Sequence, residues 1–205
     1  MNNIQYITHS NDRFDHIEGA ELALKGGCRW VQLRMKDATD EDFLAAGRRV
    51  RELCSAFGAT FVLDDRVHLV KELQADGVHL GRLDMPVDEA RKYLGDGKII
   101  IGGTANTFDD ILKLARQGAD YIGCGPFRYT ATKKRLAPIL GLEGYSRLTG
   151  QMKAHGLHVP ILAIGGILRE DVPAIMATGV SGIAVSGAVL NADDPAREME
   201  RFINT

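Results

Sequence analysis

Between Tyr121 and Lys133 the chain reads Y-I-G-C-G-P-F-R-Y-T-A-T-K. An apolar run enters through Gly118-Ala119-Asp120 and breaks at Gly123, Gly125 and Pro126. It then opens into hydroxyls and a cation at Thr130, Thr132 and Lys133. That order is how a buried parallel strand delivers an anion-binding loop to the edge of a sheet. Glycines let the backbone come close to an anion, hydroxyls donate to it, and a lysine supplies a point charge. Polar residues also gather at the ends of other apolar runs. Gln32, Arg34 and Lys36 follow Trp30-Val31, and Asp64 and Asp65 close Thr60–Leu63. Asp84 lies just past Gly77–Leu80, and Thr104 follows Gly102-Gly103. Gly165-Gly166 ends Pro160–Ile164, and Val185-Ser186 ends Gly182–Val185.

The chemistry these residues suggest is phosphate chemistry. Asp65 and Asp84 end neighbouring runs and are suited to share a divalent metal, since Mg2+ takes one or two carboxylates plus phosphate oxygens and water. The plainer alternative is that Asp64-Asp65 cap the next helix and Asp84 starts a turn. Arg34 and Lys36 alternate along a strand end and so face one side; otherwise they are two solvated charges. Gly165-Gly166 with Ser186-Gly187 suits a monophosphate held by backbone N–H groups, or simply two turns that start helices. His79, inside an apolar run, reads as a core histidine. Cys124 reads as packed, and the arginines from Arg48 to Arg51 as a solvated helix face. The other histidines have no metal-ligand spacing.

The elements that must position these groups alternate along the chain. Strands are expected at Ile4–Thr8, Trp30–Arg34, Thr60–Leu63, Gly77–Leu80, Lys98–Ile101, from Tyr121, at Pro160–Ile164 and at Gly182–Val185. Helices are expected between them: one from an Asn11 or Asp12 cap through Leu24, one behind Thr39, a short one at Val67–Leu73 and one from Pro86 to Leu94. Others follow at Phe108–Ala115, Glu143–His155, Arg169–Met176 and Pro195–Phe202. Ala75-Asp76-Gly77-Val78, Gly118-Ala119-Asp120-Tyr121-Ile122 and Gly179-Val180-Ser181-Gly182-Ile183 repeat one form ahead of even-numbered strands, and Gly26–Val31 is a looser copy. Eight such units predict an α/β fold, a single (β/α)8 TIM barrel over residues 1–205. An open doubly wound sheet is the alternative. In a barrel all the strand ends named above meet on one face, where active sites sit.

Bulk properties bound the function. The 205 residues fit one such barrel, and a net charge of -2 provides no basic field for nucleic acid. No apolar run approaches the ~20 residues of a membrane span, and the first residues do not form a secretory signal. Three cysteines without C-x-x-C spacing read as reduced thiols in a cytoplasmic protein.

Taken together, V-Q-L-R-M-K at Val31–Lys36, the aspartate after strand three, A-D-G-V-H-L-G at Ala75–Gly81 with Asp84, and A-D-Y-I-G-C-G-P at Ala119–Pro126 resemble the thiamine phosphate synthase family. T-A-T-K at Thr130–Lys133, A-I-G-G-I at Ala163–Ile167 and A-V-S at Ala184–Ser186 complete the match, in the same order along nearly the whole chain. The resemblance implies a barrel transferase that joins a hydroxymethylpyrimidine diphosphate to a thiazole phosphate carboxylate, releasing pyrophosphate and CO2. It implies Mg2+ on Asp65 and Asp84. Gln32, Arg34, Lys36, Asp64, Thr104 and Lys133 would bind the pyrimidine diphosphate, with Arg34, Lys36 and Lys133 neutralising the leaving group. Thr130, Thr132, Gly165 or Gly166, Val185 and Ser186 would bind the thiazole phosphate. Partners are thus small molecules, with a homo-oligomer possible. Three positions depart from the family's pattern: Asp64 stands for an asparagine, Thr104 for a serine, and Asn106 for a common histidine. A thiazole tautomerase-like isomerase and a non-catalytic thiazole-phosphate-binding regulator are the competing expectations. The first looks to need that histidine; the second need not keep Arg34, Lys36 and Lys133.

Overall fold

The computed structural model describes residues 4–95, 97–129 and 138–205. Among them, β1 (Ile4–Ile7), β2 (Trp30–Leu33), β3 (Thr60–Asp64), β4 (Gly77–Leu80), β5 (Ile100–Ala105), β6 (Tyr121–Cys124), β7 (Ile161–Ile164) and β8 (Gly182–Val185) pair in chain order. All ladders are parallel, and β8 returns to β1 with Tyr6 opposite Val185, so the barrel closes. The open doubly wound sheet is excluded by that last pairing. The helices around it are α1 (His16–Lys25), α2 (Asp40–Ala56), α3 (Val87–Leu94), α4 (Phe108–Arg116), α5 (Gly141–Ala154), α6 (Val172–Ala177), α7 (Gly187–Leu190) and α8 (Pro195–Ile203). Their apolar faces and the outward side chains of the strands form the main core, in which Phe43, Phe61, Leu63, Tyr145 and Phe202 are fully buried.

Local signals set most boundaries, and the misses have physical causes. Asn11 and Asp12 do not cap α1. Asn11 spends its side-chain oxygen on the N–H groups of Arg13 and Phe14, both at 2.9 Å, and Asp15 caps the helix in a box with Glu18. Thr39 does cap α2, accepting from Asp42 N at 3.1 Å. β5 runs later than expected, through Gly102, Gly103 and Thr104 to Ala105, because its glycines are working strand positions. A Cβ at Gly102 would collide with the Tyr121 ring inside the barrel, and one at Gly103 with Leu114 of α4 outside it. Helix α7, four residues long, was not expected at all. Arg51 also departs from the solvated face assigned to it: it pairs with Asp76 at 2.9 Å and lies 5.6 Å from the Phe61 ring centroid.

The sequence echo has a structural meaning. Asp76 N donates to Phe61 O at 2.8 Å, while Phe61 N donates to the Asp76 carboxylate at 2.7 Å. Asp120 does the same with Ile101, at 2.8 and 2.7 Å, and Ser181 with Ile161, at 2.8 and 3.3 Å. The turns before β4, β6 and β8 thus satisfy the starts of β3, β5 and β7. The two aspartates also hold an arginine from an outer helix, Arg51 and Arg91. Removing such an acceptor leaves an N–H unpaired, so Asp120→Ala is expected to cost about 1–3 kcal/mol. A urea-unfolding midpoint unchanged from the parent protein would contradict that role.

Candidate active site

The C-terminal ends of β2, β3 and β4 bring opposite charges together. Arg34, just past β2, is anchored by its own N–H on Thr8 Oγ1 at 3.0 Å, and its Nε lies 3.6 Å from Asp64 Oδ2 at the end of β3. Burial pushes the Asp64 carboxyl up to about 6, against the opposing pull of Arg34 and Lys36. Asp65 follows in the left-handed region at φ 60, held by its N–H on His79 O at 2.9 Å. A non-glycine residue there carries strain of the sort often kept at functional sites. Burial first, and then the charge of Asp84, raise the Asp65 pKa, while Arg66, Lys36 and Arg34 lower it. Asp84 therefore lies within electrostatic reach of Asp65, and Lys36 of both Asp64 and Asp65. One Asp84 oxygen accepts from Gly81 N at 2.6 Å, so the turn anticipated for this residue is also present.

This arrangement fits a hard divalent cation. The Asp65 carboxylate accepts no hydrogen bond and forms no ion pair among the described residues. Also among them, no group of three or more His, Cys, Asp or Glu side chains is placed to hold a metal. Asp65, with Asp84 within its electrostatic reach and one Asp84 oxygen not engaged by Gly81 N, could supply two carboxylates to such an ion. Such a site suits Mg2+, which retains several waters and accepts substrate phosphate oxygens.

Beneath the mouth, the barrel interior is polar where aliphatic layers are usual. Gln5 Nε2 donates to Tyr121 Oη at 3.1 Å; Tyr121 Oη and His79 Nδ1 are also 3.1 Å apart, and His79 Nε2 reaches Thr104 Oγ1 at 2.9 Å. An amide nitrogen can only donate, so the Tyr121 proton is left to bond His79 Nδ1. The second nitrogen then carries the ring proton toward Thr104. His79 is accordingly the satisfied interior histidine expected of it, and Gly123 gives its ring room. Gln32 is different: its side-chain nitrogen is buried with no hydrogen-bond partner among the described residues. An unpaired buried amide costs free energy, and a ring acceptor of a bound substrate would satisfy it.

Across the mouth lie the glycine turn and β8. Gly165 and Gly166 have φ values of 101 and 70, so both need glycine's freedom. Val185 is buried at the end of β8, and Ser186 starts α7 without a side-chain capping bond, which leaves its hydroxyl available. Thr130, Thr132 and Lys133 lie outside the described residues. Asn106 donates its amide to Gly125 O, tying the end of β5 to the root of the β6 loop. The three cysteines are buried and unpaired, and burial pushes the Cys124 thiol up to about 12, which removes it as a nucleophile at neutral pH.

The structure thus gathers Arg34, Lys36, Asp64, Asp65 and Asp84 into one charged cluster, sets Gln32 and Thr104 below it, and puts the Gly165-Gly166 turn and Ser186 at the ends of β7 and β8. Sequence reasoning missed Tyr121 and Gln5 as members of the interior chain.

Known proteins of similar sequence and shape show the family. A family model described as thiamine monophosphate synthase matches residues 4–189. A thiamine-phosphate synthase of Phocaeicola vulgatus is 56% identical over 201 residues, covering 98% of this chain and 96% of that one. A thiamine-phosphate synthase of Bacteroides thetaiotaomicron is 53% identical over 204 residues, covering 100% and 97%. A solved thiamine phosphate pyrophosphorylase from Pyrococcus furiosus superposes with a TM-score of 0.86 at 31% identity, covering 99% of this chain and 97% of that one.

Proposed function

This chain belongs to the thiamine-phosphate synthase family of transferases, and we propose that its barrel mouth joins a hydroxymethylpyrimidine diphosphate to a thiazole phosphate carboxylate, with loss of pyrophosphate and CO2. The observation that carries this reading is the cluster of Arg34, Lys36, Asp65 and Asp84 at the ends of three adjacent strands. Asp65 and Asp84 would hold Mg2+. When bound, the ion supplies charge neutralisation for the departing diphosphate.

In this reading Arg34 and Lys36, with Lys133 from the β6 loop, grip the diphosphate and take up negative charge as the carbon–oxygen bond breaks. The electron pair leaves with pyrophosphate, and the pyrimidinylmethyl cation is delocalised into its aminopyrimidine ring. The thiazole nitrogen then supplies the pair for the new carbon–nitrogen bond. The bond from the thiazolium ring carbon to its carboxylate breaks, CO2 leaving while the ring carbon keeps the pair and takes a proton from water. No protein nucleophile is required, in keeping with the inert Cys124 thiol. Gln32 and Thr104 hold the pyrimidine side, while Gly165, Gly166, Val185 and Ser186, with Thr130 and Thr132, hold the acceptor phosphate in line.

Asn106 argues against the isomerase alternative. An amide does not shuttle protons, and this one is already bonded to Gly125 O. Retention of Arg34 and Lys36 beside the carboxylates argues against a regulator that binds only thiazole phosphate. The buried free thiols support a cytoplasmic setting, and a homo-oligomer remains part of this reading, to be measured by light scattering. Among the described residues no helix is long and apolar enough to cross a membrane.

Purified protein given both substrates and Mg2+ is expected to yield thiamine phosphate and pyrophosphate, and a chelator is expected to stop it. Equal product with and without the chelator would reject the metal-assisted transfer.

A further inference from the structure

Arg128 and Asp171 carry an inference that rests on this reading of the mouth. The chain leaving β6 does not swing free. Phe127 N donates to Ile164 O at 2.9 Å and Arg128 N to Gly165 O at 3.0 Å, so the root of the loop lies along the end of β7. Two further bonds, Leu140 N to Pro126 O at 2.9 Å and Gly141 N to Phe127 O at 3.1 Å, tie that root to the start of α5. The stem of Arg128 then crosses the glycine turn: a Cβ at Gly166 would collide with Arg128 Cγ. Beyond the turn, Arg128 Nη2 reaches Asp171 Oδ1 at 2.7 Å. The other Asp171 oxygen accepts from Leu168 N at 2.8 Å. Asp171 is well shielded, with a side chain 13% exposed. A single carboxylate therefore fastens both the loop after β6 and the turn after β7.

We propose that Arg128 and Asp171 are a positioning pair. They lock the root of the β6 loop, at Phe127 and Arg128, onto the glycine turn, which takes the acceptor phosphate in this reading. Neither residue touches reacting atoms; both act through the Gly165-Gly166 backbone. Each partner restrains the other's loop, so loss of either releases the turn on which the acceptor sits.

Steady-state kinetics with each substrate varied separately test the pair. Arg128→Met keeps the stem over Gly166 and removes the charge; Asp171→Asn keeps the shape and the bond to Leu168 N. Each is expected to raise the KM for the thiazole phosphate acceptor about 10-fold, with kcat and the KM for the pyrimidine diphosphate within about threefold, since misplacement of a bound reactant costs up to about 10²-fold. The double variant is expected to be no worse than either single one, because the two share a single interaction. Arg128→Lys is expected to recover part of the loss. Additive effects in the double variant, equal increases in both KM values, or unchanged kinetics would overturn the pair. The parent protein measured alongside separates this from the reading beneath it: no synthase turnover in the parent removes the site assignment itself, whereas normal turnover with unaffected variants removes only the pairing.

Discussion

Asp84→Asn is expected to lower kcat by about 10²–10³-fold, the scale seen when a preorganised group that stabilises developing charge is removed. The substitution is chosen because Asp84 has two roles in the structure. One carboxylate oxygen accepts from Gly81 N and shapes the turn after β4. The charge, felt at Asp65, contributes half of the proposed cation site. Asparagine keeps an acceptor for Gly81 N and removes only the charge. Asp84→Ala would remove both, and its effect would mix turn loss with metal loss. The expected signature is therefore a urea-unfolding midpoint close to the parent's, a large fall in kcat, and a Mg2+ requirement shifted to higher concentration. Near-normal turnover in Asp84→Asn would leave the turn as the residue's whole purpose and return Asp84 to the plainer reading of its sequence position.

That ambiguity illustrates what a linear reading can and cannot resolve. Polar residues at the ends of apolar runs were legible because parallel strands deliver their C-terminal ends to one face of a barrel. Eight alternating units favoured a closed barrel, and the β8–β1 pairing decided it against an open sheet. The structure then brings Arg34, Asp64 and Asp65 together as that topology requires. The interior chain was not legible. His79 and Tyr121 are 42 residues apart and Gln5 and Tyr121 are 116 apart, so no local pattern links them. The β5 boundary was misjudged for the same reason: Gly102 looks like a strand breaker until the Tyr121 ring is seen to occupy the place of its missing side chain. Arg128 and Asp171, 43 residues apart, carry no local signal of pairing until β6 and β7 lie side by side. Spacing exposes what strand periodicity controls; contacts across the barrel depend on which strands become neighbours.

Asp64 stands where the resemblance implies an asparagine, and Asp64→Asn is expected to stabilise the protein at neutral pH. The sign follows from burial. The folded carboxyl has its pKa pushed up to about 6 from the ordinary 3.8. Between those values the folded protein holds a proton that the unfolded chain has released, so stability from this group falls as pH rises through that window. At about 1.4 kcal/mol per pH unit, the difference reaches about 3 kcal/mol by pH 7. Asparagine has no proton to lose and no charge to desolvate. With a chelator present, urea unfolding should show the variant ahead of the parent by about 1–3 kcal/mol at pH 7 and nearly level with it at pH 4. Other carboxylates titrate in both proteins, so the difference between the two curves isolates this site. An advantage that stayed constant across that range would mean that Asp64 is not held near 6 and that the nearby Arg34 already satisfies it. A pH-dependent advantage would mean that the chain retains a poorly solvated charge beside Arg34 at a measurable cost in stability. In the proposed reading, what that cost would secure is the placement of the Arg34 guanidinium, which Asp64 contacts at 3.6 Å, for the diphosphate.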